Sequence, residues 1–248
     1  MEPLVKAAHA HGITTLTLDS PANRNALSAA LVGELRAALA AAGADAAVRA
    51  VVLTHTGGTF CAGADLKSPC DPTDFLALLQ EIAELPRPVV ARVTGHVRAG
   101  GLGLLGVCDV AAAGPQSSYS FTETHLGVVP AVISAPLLPR LDPRAASRYL
   151  LTAEAFDAAE AVRIGLLTLH GEDVDQALAP VLAGLRKAGP EALAATKRLV
   201  TASVRAALEQ DGEALTRLSA HHFGSAEARE GISARFERRP PAWALGAQ

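Results

Sequence analysis

Cysteine is scarce in this chain: Cys61, Cys70 and Cys108 are the only three, and no two of them form a C-x-x-C pair. An odd, scattered set of this kind argues against a disulfide scaffold and a structural zinc site, so a reducing, cytoplasmic setting is expected and no metal. Positive charge is not in excess either, since 22 Lys and Arg against 25 Asp and Glu give a formal net charge of −3. That balance offers no basic field to a phosphate backbone or an anionic membrane, and nucleic acid is not an expected partner. Long apolar runs are missing as well: Arg, Asp and Glu break the Ala-rich stretches before they reach the ~20 residues of a membrane span. Residues 1–12 carry Glu2, Lys6 and two histidines without an apolar core, so they do not read as a signal peptide.

Apolar residues, by contrast, make up 50% of the 248, enough for one large core with or without a helical extension. The alternating, β-branched segment over 13–19 reads as a strand and 20–25 as a turn, after which Ser28 caps a helix to about Ala42 on which Leu31, Leu35 and Leu39 recur at helical spacing. A buried strand follows over 51–53. The next unit repeats the order, with a helix opened by Pro72-Thr73 and a strand over 89–93. A third has a short helix from Gly100 to Val107, a strand over 110–113 and a short one over 119–121. Strands and helices alternating in this way predict an α/β fold with crossover connections. Helices are expected around 143–151 and 157–164 with a strand over 166–169. Beyond Asp173 the pattern is helical, and 191–236 holds helices with no intervening strand.

Two glycine-rich loops carry chemistry-bearing patterns. The segment 56–67, T-G-G-T-F-C-A-G-A-D-L-K, supplies little side-chain chemistry but can supply backbone. Gly63 frees the dihedrals that let the Ala64 N–H point into a cavity, and Asp65 can hold the turn by accepting N–H groups. Simple turn formation is the alternative reading. Cys61 has apolar flanks, Phe60 and Ala62, and reads as a buried structural thiol. In the segment 95–109, Gly100 and Gly101 open a helix whose N–H groups and dipole favour a developing oxyanion; close helix packing is the competing explanation. The glycine pattern is not a dinucleotide fingerprint, because the helix is short and no acidic residue caps the next strand.

The segments 60–67, 95–109 and 121–130 (F-T-E-T-H-L-G-V-V-P), in this order, resemble the three successive signatures of the enoyl-CoA hydratase/isomerase (crotonase) family. Arg24-Asn25-Ala26-Leu27-Ser28 resembles its N-terminal coenzyme A loop, and 156–166 its later helix and strand. The resemblance implies a crotonase-like spiral of ββα turns over 1–190 and a C-terminal helical trimerisation region over 191–248. It implies an acyl-CoA thioester as substrate, a trimer or dimer of trimers, and no cofactor beyond the coenzyme A of the substrate. The N–H groups of Ala64 and Gly100 map onto the oxyanion hole, whose donors are typically worth about 2.7–4 kcal/mol each in the transition state. Arg24, Ala26, Ala62, Asp65 and Leu66, with the Lys67 side chain, map onto the coenzyme A path. Glu123 maps onto the acid/base, with apolar neighbours that raise its pKa.

The chain departs from the family's hydratases at one point: Gly103 stands where they carry a first glutamate. A single carboxylate suffices to move a proton from the α- to the γ-carbon of a 3-enoyl thioester, whereas addition of water is more naturally shared between two. Hydration of a 2-enoyl-CoA remains the first expectation, 3,2-isomerisation the second and a non-catalytic acyl-CoA binding subunit the third. His96, Arg98, Thr122 and His125 are candidates to hold water in place of the missing carboxylate. Arg98 is expected either to meet an acidic acyl group or, more simply, to form a surface salt bridge. A glutamate introduced at 103 is expected to raise hydration if the pocket is otherwise of the two-carboxylate type.

Overall fold

A computed structural model describes residues 2–246; residue 1 of the 1–190 region and residues 247 and 248 of the 191–248 region lie outside the described residues. An antiparallel pair, β1 (Val5–Ala10) and β2 (Ile13–Leu18), opens the chain. Helix α1 (Ala29–Ala44) follows, capped by the Ser28 hydroxyl, which accepts the Leu31 N–H.

Three turns of strand, strand and helix come next. They are β3 (Ala50–His55), β4 (Thr59–Cys61) and α2 (Pro72–Glu84); β5 (Val89–Val93), β6 (His96–Arg98) and α3 (Gly100–Val107); and β7 (Val110–Ala113), β8 (Ser118–Ser120) and α4 (Ala131–Leu137), with a 3-10 turn, Thr124–Leu126, before α4. The first strand of each turn joins a six-stranded sheet and the second a four-stranded one. The chain then runs through α5 (Pro143–Thr152), β9 (Phe156–Asp157), α6 (Ala158–Arg163), β10 (Leu169–His170), α7 (Val174–Lys187), α8 (Pro190–Val200), α9 (Ala202–Phe223) and α10 (Ala226–Glu237).

The large sheet has the order β1-β2-β3-β5-β7-β10, parallel from β2 onward, and the small sheet the order β4-β6-β8-β9, parallel from β4 to β8. This is the spiral of ββα turns of the crotonase fold. Its strand β3 is buried along all six residues, as a central parallel strand covered on both faces must be.

Five elements depart from the sequence reading. Strand β1 was not expected, because it lies at the sheet edge with five of its six residues exposed and so shows no apolar pattern. The three-residue strands β4 and β6 hide within the glycine-rich loops. Helix α4 is seven residues long and contains Pro136, too short to show periodicity. The last strand lies at Leu169–His170, past the expected 166–169, because Leu166 and Leu167 are drawn into the core by backbone bonds to the Ala161 carbonyl.

The C-terminal helices lie on the spiral through α9, which packs on α2 and α4. Val204 and Leu208 of α9 are buried, whereas Leu199, Val200, Leu218 and Phe236 are exposed. Helix α8 is fixed by Lys197, whose Nζ donates to the carbonyls of Ile82 (2.8 Å) and Arg87 (3.1 Å) and pairs with Asp109 at 2.9 Å. Among the described residues no helix is long and apolar enough to cross a membrane.

Candidate active site

Three of the expected site residues follow neighbouring strands of the small sheet. Ala64 lies three residues beyond β4, Gly100 two beyond β6 and Glu123 three beyond β8, and these strands are parallel neighbours. With adjacent strands ~4.8 Å apart, the three backbones leave the same edge of the sheet within roughly 10 Å of one another.

The Ala64 N–H, the first proposed donor, is oriented by a bridge between the loops. Leu27 N–H donates to the Gly63 carbonyl at 2.8 Å and Asp65 N–H to the Leu27 carbonyl at 3.3 Å. In such a parallel bridge the groups of the middle residue face away, so the Ala64 N–H points away from Leu27. Gly63 adopts φ +89°, and a β-carbon on it would lie 2.7 Å from the Ala99 methyl and 3.5 Å from the Gly100 nitrogen. The two loops therefore touch at the two proposed donors. Gly100 begins α3, where its N–H has no intrahelical acceptor. Ala99 turns the chain into that helix at φ 48° and ψ −122°, a conformation that costs an alanine on the order of 1–3 kcal/mol. Sequence reasoning missed Ala99, since alanine carries no signal for positive φ.

The loops of the proposed coenzyme A path are held by polar side chains. Asp65 Oδ1 accepts the N–H groups of Lys67 (2.9 Å) and Ser68 (3.3 Å), and Oδ2 accepts from Asn23. Arg24 is exposed, and its carbonyl accepts the Ala62 N–H; Ala26 is buried, Ala62 and Leu66 are half-buried and Lys67 is exposed. Asn25, to which the sequence assigned no role, is completely buried. Its Oδ1 accepts the Ser20 N–H at 2.7 Å, and its Nδ2 donates to the carbonyls of Thr56 (3.1 Å) and Thr59 (2.7 Å). It pins the 20–25 turn to the β3–β4 link.

Glu123 is 7% exposed. Burial raises its pKa to about 7, because a charged carboxylate loses water there that no cation replaces. Oε2 is buried without a hydrogen-bond partner among the described residues, and so is the hydroxyl of the next residue, Thr124. The Glu123 carbonyl is well held, accepting the N–H groups of Leu126 (2.9 Å) and Val128 (3.1 Å).

Two of the residues proposed to replace the missing carboxylate, Arg98 and His96, are engaged with Ser118. Arg98 donates to the carbonyls of Val97 (2.9 Å) and Ser118 (2.6 Å) and to the Ser118 hydroxyl (2.9 Å), and His96 Nδ1 lies 2.8 Å from that hydroxyl. Both tie β6 to β8. The surface salt bridge, one of the two expectations for Arg98, is not formed, since among the described residues it pairs with no carboxylate; its half-buried guanidinium is spent on two carbonyls and the Ser118 hydroxyl. His125 is exposed and Thr122 half-buried.

Gly103 is tightly packed. A β-carbon there would lie 2.7 Å from Ile133 Cγ2, 3.2 Å from its Cβ and 3.5 Å from the Phe75 ring. Ile133 of α4 fills the space that a glutamate would need, so Gly103→Glu alone overpacks the site instead of completing it.

Cys61 is buried, with its thiol pushed up to about 12 by desolvation, and its sulfur accepts the Gly63 N–H. It is a structural thiol. Among the described residues no three His, Cys, Asp or Glu side chains converge on a metal position. Two surface clefts, of about 440 and 400 Å³, are lined by none of Ala64, Gly100 and Glu123.

The same architecture occurs in known proteins. An enoyl-CoA hydratase from Mycobacterium avium is 48% identical and superposes with a TM-score of 0.92, covering 98% of this chain and 100% of its own. An enoyl-CoA hydratase/isomerase from Pseudoalteromonas atlantica is 28% identical with a TM-score of 0.88, covering 97% and 100%. A Thermus thermophilus protein named as an enoyl-CoA hydratase is 34% identical over 245 residues, which are 92% of this chain and 96% of the relative. Residues 8–245 match the profile of enoyl-CoA hydratase/isomerase, and the chain belongs to that family.

Proposed function

We propose that this enzyme holds an acyl-CoA thioester as its enolate between the N–H groups of Ala64 and Gly100 and moves the proton with Glu123 alone. The observation that carries this reading is the pairing of one buried carboxyl, with a pKa raised to about 7, with an isoleucine packed over Gly103. A carboxyl poised near neutrality can take a proton from the α-carbon and return it at the γ-carbon. The reaction supported best is therefore the shift of a 3-enoyl-CoA double bond to the 2-position. Sequence reasoning placed hydration first; we place isomerisation ahead of it, with the packing at Gly103 as support.

Hydration is the second reading. It draws support from the relatives named as hydratases and from the buried Thr124 hydroxyl, which has no partner among the described residues and can hold a water. Retention of a buried, perturbed Glu123 speaks against a non-catalytic subunit. The exposed Leu199, Val200, Leu218 and Phe236 are the surface we assign to a trimer or dimer of trimers. The chemistry calls for no cofactor beyond coenzyme A, and three free thiols, two of them buried, suit a reducing cytoplasm.

Incubation with a 3-enoyl-CoA and separately with crotonyl-CoA, followed by conjugated thioester absorbance, tests the assignment. Gain from the first with little loss from the second is expected; rapid loss from crotonyl-CoA alone would instead establish hydration. Light scattering tests the assembly, and a monomer at micromolar concentration would refute it.

A further inference from the structure

We infer that helix α10 positions Glu123 within its own subunit, and that Gly231 is the residue through which it acts. The proposal rests on Glu123 being the proton carrier and adds a residue over a hundred positions away to its machinery.

Among the described residues no side chain anchors the carboxyl of Glu123. Its Oε2 meets no hydrogen-bond partner, so the position of the acid is set by its backbone. That backbone begins the 3-10 turn Thr124–Leu126, and the Glu123 carbonyl accepts the Leu126 and Val128 N–H groups. Whatever holds Leu126 therefore holds Glu123.

Helix α10 meets this turn backbone to backbone. A β-carbon on Gly231 would lie 2.4 Å from the Leu126 oxygen, 2.5 Å from its carbonyl carbon and 2.9 Å from its Cα. From the other side, a β-carbon on Gly127 would lie 2.7 Å from the Glu227 carbonyl carbon and 2.9 Å from Glu227 Cβ. Residues 227 and 231 are one helical turn apart, so the two glycines admit a contact with no side chain between the elements. The helix that makes this contact is fixed at both ends. Ser225 Oγ accepts the Ala228 N–H at 3.0 Å, and Arg239 bonds Glu230 and Glu237 beyond the last turn.

Gly231→Ala must push either the helix or the turn, because the atoms it meets are backbone. In the folded variant with the native subunit count, kcat is expected to fall at least ~10-fold with KM changed less than ~3-fold. The acid limb of the kcat/KM profile and the NMR titration of the Glu123 carboxyl are both expected to move below 7, as water reaches the displaced acid. Gly184→Ala on α7, where an added β-carbon meets nothing within 4 Å, is expected to change neither. Ser225→Ala, which loosens α10 without a clash, is expected to speed amide exchange at Leu126 and Val128. A folded Gly231→Ala enzyme with native kcat and an unmoved Glu123 titration overturns the inference. Should Gly231→Ala fail to fold, a Ser225→Ala enzyme with faster α10 exchange but unaltered Leu126 and Val128 exchange does the same. Full activity in Glu123→Gln would instead remove the proton-carrier reading itself, so the two failures are separable.

Discussion

Ile133 stands over Gly103, with its Cγ2 2.7 Å from where a β-carbon on that glycine would lie. The contact joins α4 to α3, and with the Phe75 ring 3.5 Å from the same position it keeps that space apolar. Gly103→Glu is expected to destabilise the protein by about 1–3 kcal/mol through overpacking and to leave crotonyl-CoA hydration unchanged. Gly103→Glu combined with Ile133→Ala frees the volume and is expected to gain hydration. Denaturant melts and thioester absorbance for both variants check this; a single Gly103→Glu enzyme that is stable and hydrates faster would show that Ile133 moves aside freely.

The raised pKa of Glu123 makes a stability prediction that is separate from catalysis. Against an ordinary value of 4.5, a native value of about 7 means that the folded chain keeps a proton that the unfolded chain has released. Stability therefore falls as pH rises from about 4.5 to about 7, by at most about 3 kcal/mol, and this loss levels off above. Glu123→Gln removes that loss. The variant is expected to be more stable than the parent at pH 8, equal to it near pH 4, and at least ~10²-fold slower. Urea unfolding at the two pH values and turnover at neutral pH test the pair, and a Gln variant no more stable at pH 8 would place the carboxyl in water.

Lys197 and Asp109 form a pair of which neither side chain is more than 9% exposed. Burial lowers the pKa of Lys197, and the Asp109 charge opposes that shift. Lys197→Met leaves Asp109 unpaired and is expected to cost about 3–5 kcal/mol, while Lys197→Met with Asp109→Leu is expected to recover part of it. Full recovery is not expected, because Asp109 Oδ2 also accepts the Val89 N–H at 2.7 Å. Equilibrium unfolding of the single and double variants measures the coupling directly.

Asn25→Asp replaces an amide that donates to two carbonyls with a carboxylate facing them. A loss of about 2–4 kcal/mol is expected from unsatisfied and repelled buried groups. Because the same turn carries Arg24 and Ala26, the KM for acyl-CoA is expected to rise more than kcat falls. Calorimetry and steady-state kinetics together decide whether the turn serves coenzyme A binding.

The alternation of strands and helices, the glycine-opened helix at Gly100 and the buried Glu123 were legible because each rests on a local pattern. Ser28 as a helix cap and Asp65 as a turn holder were legible for the same reason, since their partners lie within three residues. What escaped depends on distant neighbours. The edge strand β1 is defined only by its pairing with β2, and the three-residue β4 and β6 only by lying side by side. Ile133 could not be set against Gly103 from spacing, and nothing near Arg98 in sequence predicts that Ser118 would occupy it. Ala99 holds a conformation its side chain disfavours, which only the surrounding fold can impose.

The two N–H groups assigned to the oxyanion belong to an alanine and a glycine. Systematic replacement by alanine would leave Ala64 untouched and, at Gly100, would report the collision with Leu27, whose Cδ1 lies 2.8 Å from the added carbon, instead of the lost polarity. The groups proposed to stabilise charge are thus written into the path of the main chain, where ordinary mutagenesis has nothing to remove. Exchanging the peptide link for an ester at either position would take away the donor hydrogen and leave every side chain in place.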